Sequence, residues 1–313
     1  MAAVNERRLS LLAVVAGGVL IALGFSSVGW AGALPQRPPG PDSAVGARGD
    51  AYRKLGLMSF NVCGGVCRHG EVAATARFVA RMATRQDAGV VLLQELCYSQ
   101  FRRVRALLAR HGFSGRFEAQ TQSRACANDD TRHGTGFGVA VLVRGRISHS
   151  VVDHLPTPPG VEHRVLLGVT ATIAGRSTFV AGVHLSRAPR DTLRAQLRSV
   201  ERFVGSRSAH PAIVGGDFNT LPGDPALEPL FAGFTELDET RARNSNMGHL
   251  PTFAAKKIDY VFLSRFVEPQ ASTVVTAMSD HRVLLGTATA GTAAAESTPG
   301  ISVASVGWDR RPG

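Results

Sequence analysis

Short apolar runs that end, one after another, in an acidic residue, an amide or a histidine constrain this chain more than any other feature of it. Residues 57–60 lead into Asn61, 90–93 into Gln94-Glu95 and 179–183 into His184. Residues 212–214 run through Gly215-Gly216 into Asp217-Phe218-Asn219. Lys257-Ile258 precedes Asp259-Tyr260, and Ser279-Asp280-His281 precedes the last apolar run. A run such as 90–93 has no polar alternation, the pattern of a strand covered on both faces. Polar groups gathered at one edge of a sheet cost free energy unless they bind something. An oxygen-rich set suits a hard divalent cation, whereas thiolate and imidazole sets suit zinc.

Between these runs the period changes. Residues 72–85 have helical spacing, with Ala73, Ala76, Val79, Ala80 and Ala83 on one side. An arginine-rich helix is expected over 99–111, ending near Gly112, and another over 191–204. Strands are expected at 55–60, 90–93, 177–183, 212–214, 258–263, 267–276 and 282–286. Residues 137–143, 147–154 and 164–173 read as a strand-turn-strand meander. No internal repeat is present. Strand-heavy content with interleaved helices makes this an α/β (α+β) chain of sheets packed face to face, with helices outside. Its 313 residues suffice for one large domain, and 44% apolar content excludes global disorder.

The first 33 residues read as a signal peptide. Arg7 and Arg8 form a positive start, 9–30 carry no charge, and Ala31-Gly32-Ala33 supplies a small-x-small cleavage site. The uncharged run is long enough to span a bilayer, so an N-terminal membrane anchor is the alternative. Residues 34–51, with Pro35, Pro38, Pro39 and Pro41, read as a Pro/Gly-rich linker. The folded domain is expected over 52–286, and the Ala/Thr/Ser/Gly-rich 287–313 as a flexible tail. Cys63, Cys67, Cys97 and Cys126 are an even set in an exported domain, which predicts two disulfides with three pairings open. Cys63–Cys67 as a local clamp and Cys97–Cys126 as a tie on a long loop are the preferred pairs. A zinc site is the alternative, although the spacing fits zinc frameworks poorly.

The motifs at the run ends are specific as a set. S-F-N-V at 59–62, L-Q-E-L at 93–96, V-H-L-S at 183–186, G-D-F-N at 216–219, I-D-Y-V at 258–261 and S-D-H-R at 279–282 follow one order. Each alone is weak: Asn61 could cap a turn, and His184 could be a satisfied interior histidine. In this order the chain resembles the DNase I-like endonuclease/exonuclease/phosphatase superfamily, as a secreted bacterial member. The resemblance implies a four-layered sandwich, two packed mixed β-sheets flanked by helices, with the active site at one rim. It implies metal ligation by Asn61, Glu95 and Asp280, with Mg²⁺ as the ion and Mn²⁺ or Ca²⁺ as alternatives. Asp217 would orient or deprotonate the attacking water, and Asn219 would hold a phosphate oxygen. His281 would contact the phosphate or transfer a proton, with Asp259 fixing its tautomer. His184 matches a second histidine of the DNase and sphingomyelinase branches.

That second histidine commonly has a Glu or Tyr partner from between the Q-E and H-L-S motifs. Here the stretch 131–138 offers no convincing match. Arg132 and His133 are plausible phosphate contacts within it, as is Arg187 beyond His184; Arg190 and Arg194 fall near the same rim.

The formal net charge is +11, and without residues 1–33 it is +10, so the basic character belongs to the mature domain. Such a surface attracts nucleic acid or acidic lipid, unless the arginine content merely tracks genome composition. Three readings follow. The favoured one is a secreted nuclease hydrolysing DNA. The second is a phospholipase C, sphingomyelinase-like enzyme or phosphomonoesterase acting on lipid, inositol or nucleotide phosphates; its lipid form usually carries an exposed aromatic hairpin, whereas Trp30 and Trp308 fall outside the domain. The third is a non-catalytic surface binding protein. No protein partner is implied, and a monomer is expected.

Overall fold

The computed structural model describes residues 54–128, 133–207, 210–238 and 248–290. The expected leader, the linker, Arg132 and the tail beyond 290 lie outside the described residues. In chain order the elements are β1 (Lys54–Asn61), α1 (Ala73–Arg85), β2 (Ala88–Cys97), α2 (Tyr98–Ala109), β3 (Phe113–Gln122), β4 (Gly136–His154), β5 (Val165–Ile173) and β6 (Arg176–His184). There follow α3 (Arg190–Gly205), β7 (Ala212–Asp217), a 3-10 turn at Pro225–Leu227, α4 (Glu228–Gly233), β8 (Thr235–Glu236), β9 (Asp259–Ser264), β10 (Phe266–Val274) and β11 (Val283–Ala290).

Period-2 alternation sorts the strand side chains into layers. Met58 and Phe60 of β1, with Val91 and Leu93 of β2, face α1 and α2. Leu57, Val90 and Leu92 face the other way, onto Val169, Val180, Ile213 and Val261 of the opposite sheet. The outer face of that sheet packs Phe179, Val183, Val214 and Phe262 under α3 and α4. The result is the expected four layers, helices–sheet–sheet–helices.

Strands β10-β11-β1-β2-β4-β3 make one sheet, and the distal half of β4 with β5-β6-β7-β9-β8 makes the other. β1–β2 and β6–β7 are parallel and the remaining pairs antiparallel, so both sheets are mixed. β4 is one 19-residue strand that passes from the first sheet to the second. The expected turn between 143 and 147 is therefore a corner. Gly145 makes it, at φ 155° and so close to Thr172 that a Cβ would sit 2.0 Å from its carbonyl oxygen.

Three further differences have physical reasons. β3 was not expected, because Phe113 and Phe117 are its main apolar signals and its other face is polar. α4 and the turn before it are too short to show a period. The last strand runs beyond 286 into the expected tail, to Ala290, since Ala288 is small enough to bury in the inter-sheet core.

Local hydrogen bonds fix the loops that carry the site. The Glu71 carboxylate accepts from the N–H groups of Ala74 and Thr75, at 2.8 and 3.1 Å, and caps α1. Gln100, at the third position of α2, accepts from Cys97 N at 2.8 Å and donates to Glu71 O at 2.9 Å. The preferred cysteine pairs form, Cys63–Cys67 and Cys97–Cys126, which removes the zinc alternative. Cys97–Cys126 spans 29 residues, a closure worth about 3.5 kcal/mol in the chain-entropy picture.

Candidate active site

The ends of β1, β2, β6 and β7 and the starts of β9 and β11 meet at one rim. There the chain lines a cavity of about 410 Å³ with Glu95, His184, Asp217, Asn219, Asp280 and His281. Glu95 reaches it through a bulge. Between Leu93 and Leu96 the register of β2 against β4 shifts, and Glu95 sits at φ 55°. Two consecutive residues thereby point differently: Gln94 is fully buried, and Glu95 turns to the cavity.

Asn61 joins the two sheets. Its Nδ2 donates to Glu95 Oε1 at 2.9 Å and to Asp217 Oδ2 at 3.1 Å. Its Oδ1 accepts from Cys63 N at 3.0 Å, and because that N–H can only donate, the amide orientation is set. Asn61 therefore orients the two carboxylates through its Nδ2, while its Oδ1, the atom expected to reach a metal, accepts from the backbone of Cys63.

Asp217 is buried among like and unlike charges. Burial raises its pKa to about 7, Asp259 adds to the rise, and His281, the Asn219 N–H and Asn61 oppose it. Asn219 N donates to Asp217 Oδ1 at 2.9 Å, and Asn219 Nδ2 donates to Leu185 O at 2.9 Å, leaving its second amide hydrogen for the cavity it lines. The two histidines differ in kind. His281 Nδ1 lies 2.9 Å from Asp259 Oδ2, and its Nε2 lies 3.6 Å from Asp217 Oδ2. Burial opposes its charge, but the hydrogen bond and charge of Asp259, with Asp217 and Asp280, hold the ring up at about 9. It is an imidazolium at neutral pH.

His184 is neutral. Burial lowers its pKa well below the usual range, and Arg164 and His281 lower it further. Arg164 Nη1 is 3.2 Å from His184 Nδ1; a guanidinium only donates, so Nδ1 accepts and Nε2 carries the single ring proton. That Nε2 lies 3.8 Å from Glu95 Oε1 and 3.7 Å from Asp217 Oδ2. Gln120 Nε2 donates to His184 O at 3.2 Å, and Glu162 holds Arg164 from behind at 3.1 Å.

Of the other expected residues, Arg187 and Asp280 line the cavity. His133 is not among its lining residues: its ring packs 4.2 Å from Tyr98 and 5.6 Å from Phe117. Arg190 pairs with Asp224 at 2.8 Å and Arg194 with Asp191 at 3.4 Å. Sequence reasoning missed Arg164, and with it two positioning hydroxyls. Thr252 Oγ1 accepts from Asp259 N at 3.0 Å; Ser279 Oγ donates to Asn61 O at 2.8 Å and accepts from His281 N at 3.0 Å.

The donor set fits a hard cation. Glu95, Asp217 and His184 bring ligand atoms within 4.8 Å of one another, as do Asp217, Asp259 and His281. With Nε2 protonated in both histidines, carboxylate oxygens remain as donors. Burial raises the Glu95 pKa, and the charge of Asp280 raises it too against Asn61, His281 and Arg164, a strain that a divalent cation relieves.

The model of the Endonuclease/Exonuclease/phosphatase family matches residues 58–281. No curated protein matches the chain. Among solved structures, the human Nocturnin catalytic domain with bound sulfate is 19% identical, covering 75% of this chain and 92% of its own, with a TM-score of 0.61. A truncated TDP2 from Caenorhabditis elegans is 16% identical, covering 76% and 98%, with a TM-score of 0.56. A mannosyl-6-phosphatase from Bacteroides thetaiotaomicron is 16% identical, covering 74% and 98%, with a TM-score of 0.57. At these identities the likeness is one of fold.

Proposed function

Because the chain belongs to the endonuclease/exonuclease/phosphatase family, whose members are metal-dependent phosphoester hydrolases, we propose that it is a secreted, Mg²⁺-dependent nuclease that hydrolyses phosphodiester bonds of DNA. The observation that carries the hydrolase reading is the cluster at the joined sheet rims. A carboxylate with a pKa near 7 stands 3.6 Å from an imidazolium and beside a second, outward-facing carboxylate. The choice of nucleic acid rests on the net charge of +11 and on the Cys63–Cys67 and Cys97–Cys126 disulfides, which suit an oxidising, extracellular compartment. No helix among the described residues is long and apolar enough to cross a membrane.

In this reading Glu95 and Asp280 hold the ion, with Asn61 fixing the Glu95 carboxylate. A cation held there would supply neutralisation of charge on the phosphoryl oxygens. The chain's own groups do the rest. Asp217, near its pKa at neutral pH, takes the proton of the attacking water. His281, held by Asp259, gives its Nε2 proton to the leaving oxygen as the P–O bond breaks, and His184 donates a hydrogen bond through its neutral Nε2–H to a phosphoryl oxygen. Asn219 offers its free amide hydrogen to the same phosphate.

The test is hydrolysis by residues 34–313 with Mg²⁺ or Mn²⁺ against plasmid DNA, RNA, sphingomyelin and p-nitrophenyl phosphate in parallel. DNA cleavage abolished by EDTA and by Glu95→Ala is the expected result. Turnover of headgroup or monoester with DNA intact would keep the mechanism and move the substrate. Activity surviving Glu95→Ala would refute the site.

A further inference from the structure

Four large apolar side chains stand exposed among the described residues: Val66 (74%), Leu221 (49%), Val267 (42%) and Val275 (72%). Val66 and Leu221 both line the catalytic cavity. They come from opposite sheets, Val66 from the loop after β1 and Leu221 from the loop after β7, and so flank the phosphate-binding cluster from two sides.

Neither is a loosely held loop tip. Val66 sits inside the Cys63–Cys67 disulfide ring, where Cys67 N donates to Cys63 O at 3.0 Å and Gly70 N to Gly64 O at 2.8 Å. Gly64 N in turn donates to Glu95 O at 2.7 Å, which ties the ring to the catalytic strand. At Leu221, Asp224 N donates to its carbonyl at 3.0 Å, and Tyr260 Oη donates to Thr220 O at 2.9 Å. Rigidly presented apolar groups in water gain nothing for the fold, and where they line a cavity beside a cluster of carboxylates and histidines they offer it a binding surface.

We propose that Val66 and Leu221 form an apolar clasp for a nucleobase next to the scissile phosphate. This rests on the nuclease reading and names the part of the substrate that the site grips beyond the phosphate. An acyl chain is the other apolar occupant, and the surroundings disfavour it. Phe137 and Phe253 add aromatic faces to the same wall, while Arg187 and Lys256 line it with hydrogen-bond donors that a base can use and a hydrocarbon cannot.

The experiment compares thymidine 5′-(p-nitrophenyl phosphate) with methyl p-nitrophenyl phosphate, which share a leaving group and differ by the nucleoside. The expected result is a higher kcat/KM for the nucleoside ester. In V66S/L221S its KM rises about tenfold with kcat maintained, so the preference collapses. Turnover of both esters without preference, or a preference untouched in V66S/L221S, overturns the clasp and leaves the hydrolase reading standing. Preference for a long-chain alkyl p-nitrophenyl phosphate, lost in V66S/L221S, overturns the nucleobase as occupant. If neither ester is hydrolysed, calorimetry of thymidine 5′-monophosphate against inorganic phosphate separates the two ideas. Tighter nucleotide binding lost in V66S/L221S supports the clasp and shows that the small diesters are poor substrates, whereas equal binding overturns the clasp.

Discussion

Replacing Arg164, which lines the same cavity, by Met should cripple turnover through His184. The guanidinium is already committed: Nη1 faces His184 Nδ1 at 3.2 Å and Gln120 Oε1 at 3.4 Å, and Nη2 pairs with Glu162 at 3.1 Å. Glu162 is partly exposed, so losing its partner costs little. The loss falls on His184. A hydrogen bond from a charged donor is worth ~1.5–3 kcal/mol, and without it the ring is free to place its proton on Nδ1 and turn an acceptor to the substrate. If that energy appears in the transition state, kcat/KM falls about 10- to 150-fold. The pH dependence separates this from a packing defect. Arg164 is one cause of the lowered His184 pKa, after burial, so its removal raises that pKa. Below the raised value the ring is an imidazolium and regains Nε2–H; above it the neutral ring can adopt the wrong tautomer. The deficit relative to wild type should therefore widen as pH rises through the raised His184 pKa. The assay is kcat/KM on bis(p-nitrophenyl) phosphate across that titration, with ¹⁵N-histidine NMR to read the tautomer. A deficit below about twofold, or one constant with pH in a folded variant, would refute the reasoning.

The wild-type profile should itself be bell-shaped. Activity rises through about 7 as Asp217 loses its proton and falls through about 9 as His281 loses its own, and a flat rate from pH 5.5 to 10 would exclude both assignments. Lys257→Met should cost about 3–5 kcal/mol of stability, because Lys257 Nζ and Glu236 Oε1 pair at 3.2 Å with both side chains fully buried. Urea denaturation measures it, and a loss under about 1 kcal/mol would show that Glu236 takes up a proton at little cost.

The site was legible in the sequence because each buried strand ends in the residue that it delivers. His184, Asp217 and Asp259 stand at a strand terminus, and Glu95 and His281 lie two residues from one. What the local sequence does not encode is cross-strand geometry. Arg164 precedes His184 by 20 residues, and they meet because β5 and β6 are antiparallel with Leu166 opposite Val183. The orientation of Asn61 depends on the N–H of Cys63, a conformation that no motif reveals. The β4 corner was read as a turn because a glycine between two apolar runs has the same signature whether the chain reverses or only bends. Phe113 and Phe117 of β3 lie four residues apart, a spacing that strand and helix share, and the polar face of β3 made it resemble a loop.

The candidate catalytic cluster belongs to neither sheet alone. Glu95 comes from the first and Asp217 from the second, and the single amide of Asn61 donates to both. Glu95 and Asn219 each hold a positive φ, 55° and 51°, which for residues with a Cβ costs on the order of 1–3 kcal/mol. Backbone and side-chain bonds from neighbouring rim segments stabilise them: Gly64 N donates to Glu95 O, and Asn219 binds Asp217 and Leu185 O. Ser279 then ties the end of β1 to the His281 segment. The strained residues therefore find these partners within their own sheets, and packing of the two sheets adds the bond from Asn61 to Asp217 that joins them. Burying Asp217 and Glu95, whose pKa values are raised by burial and by the charges of Asp259 and Asp280 respectively, is unfavourable for the fold alone, and the same packing that imposes this cost sets the distances at which those groups can share a proton and an ion.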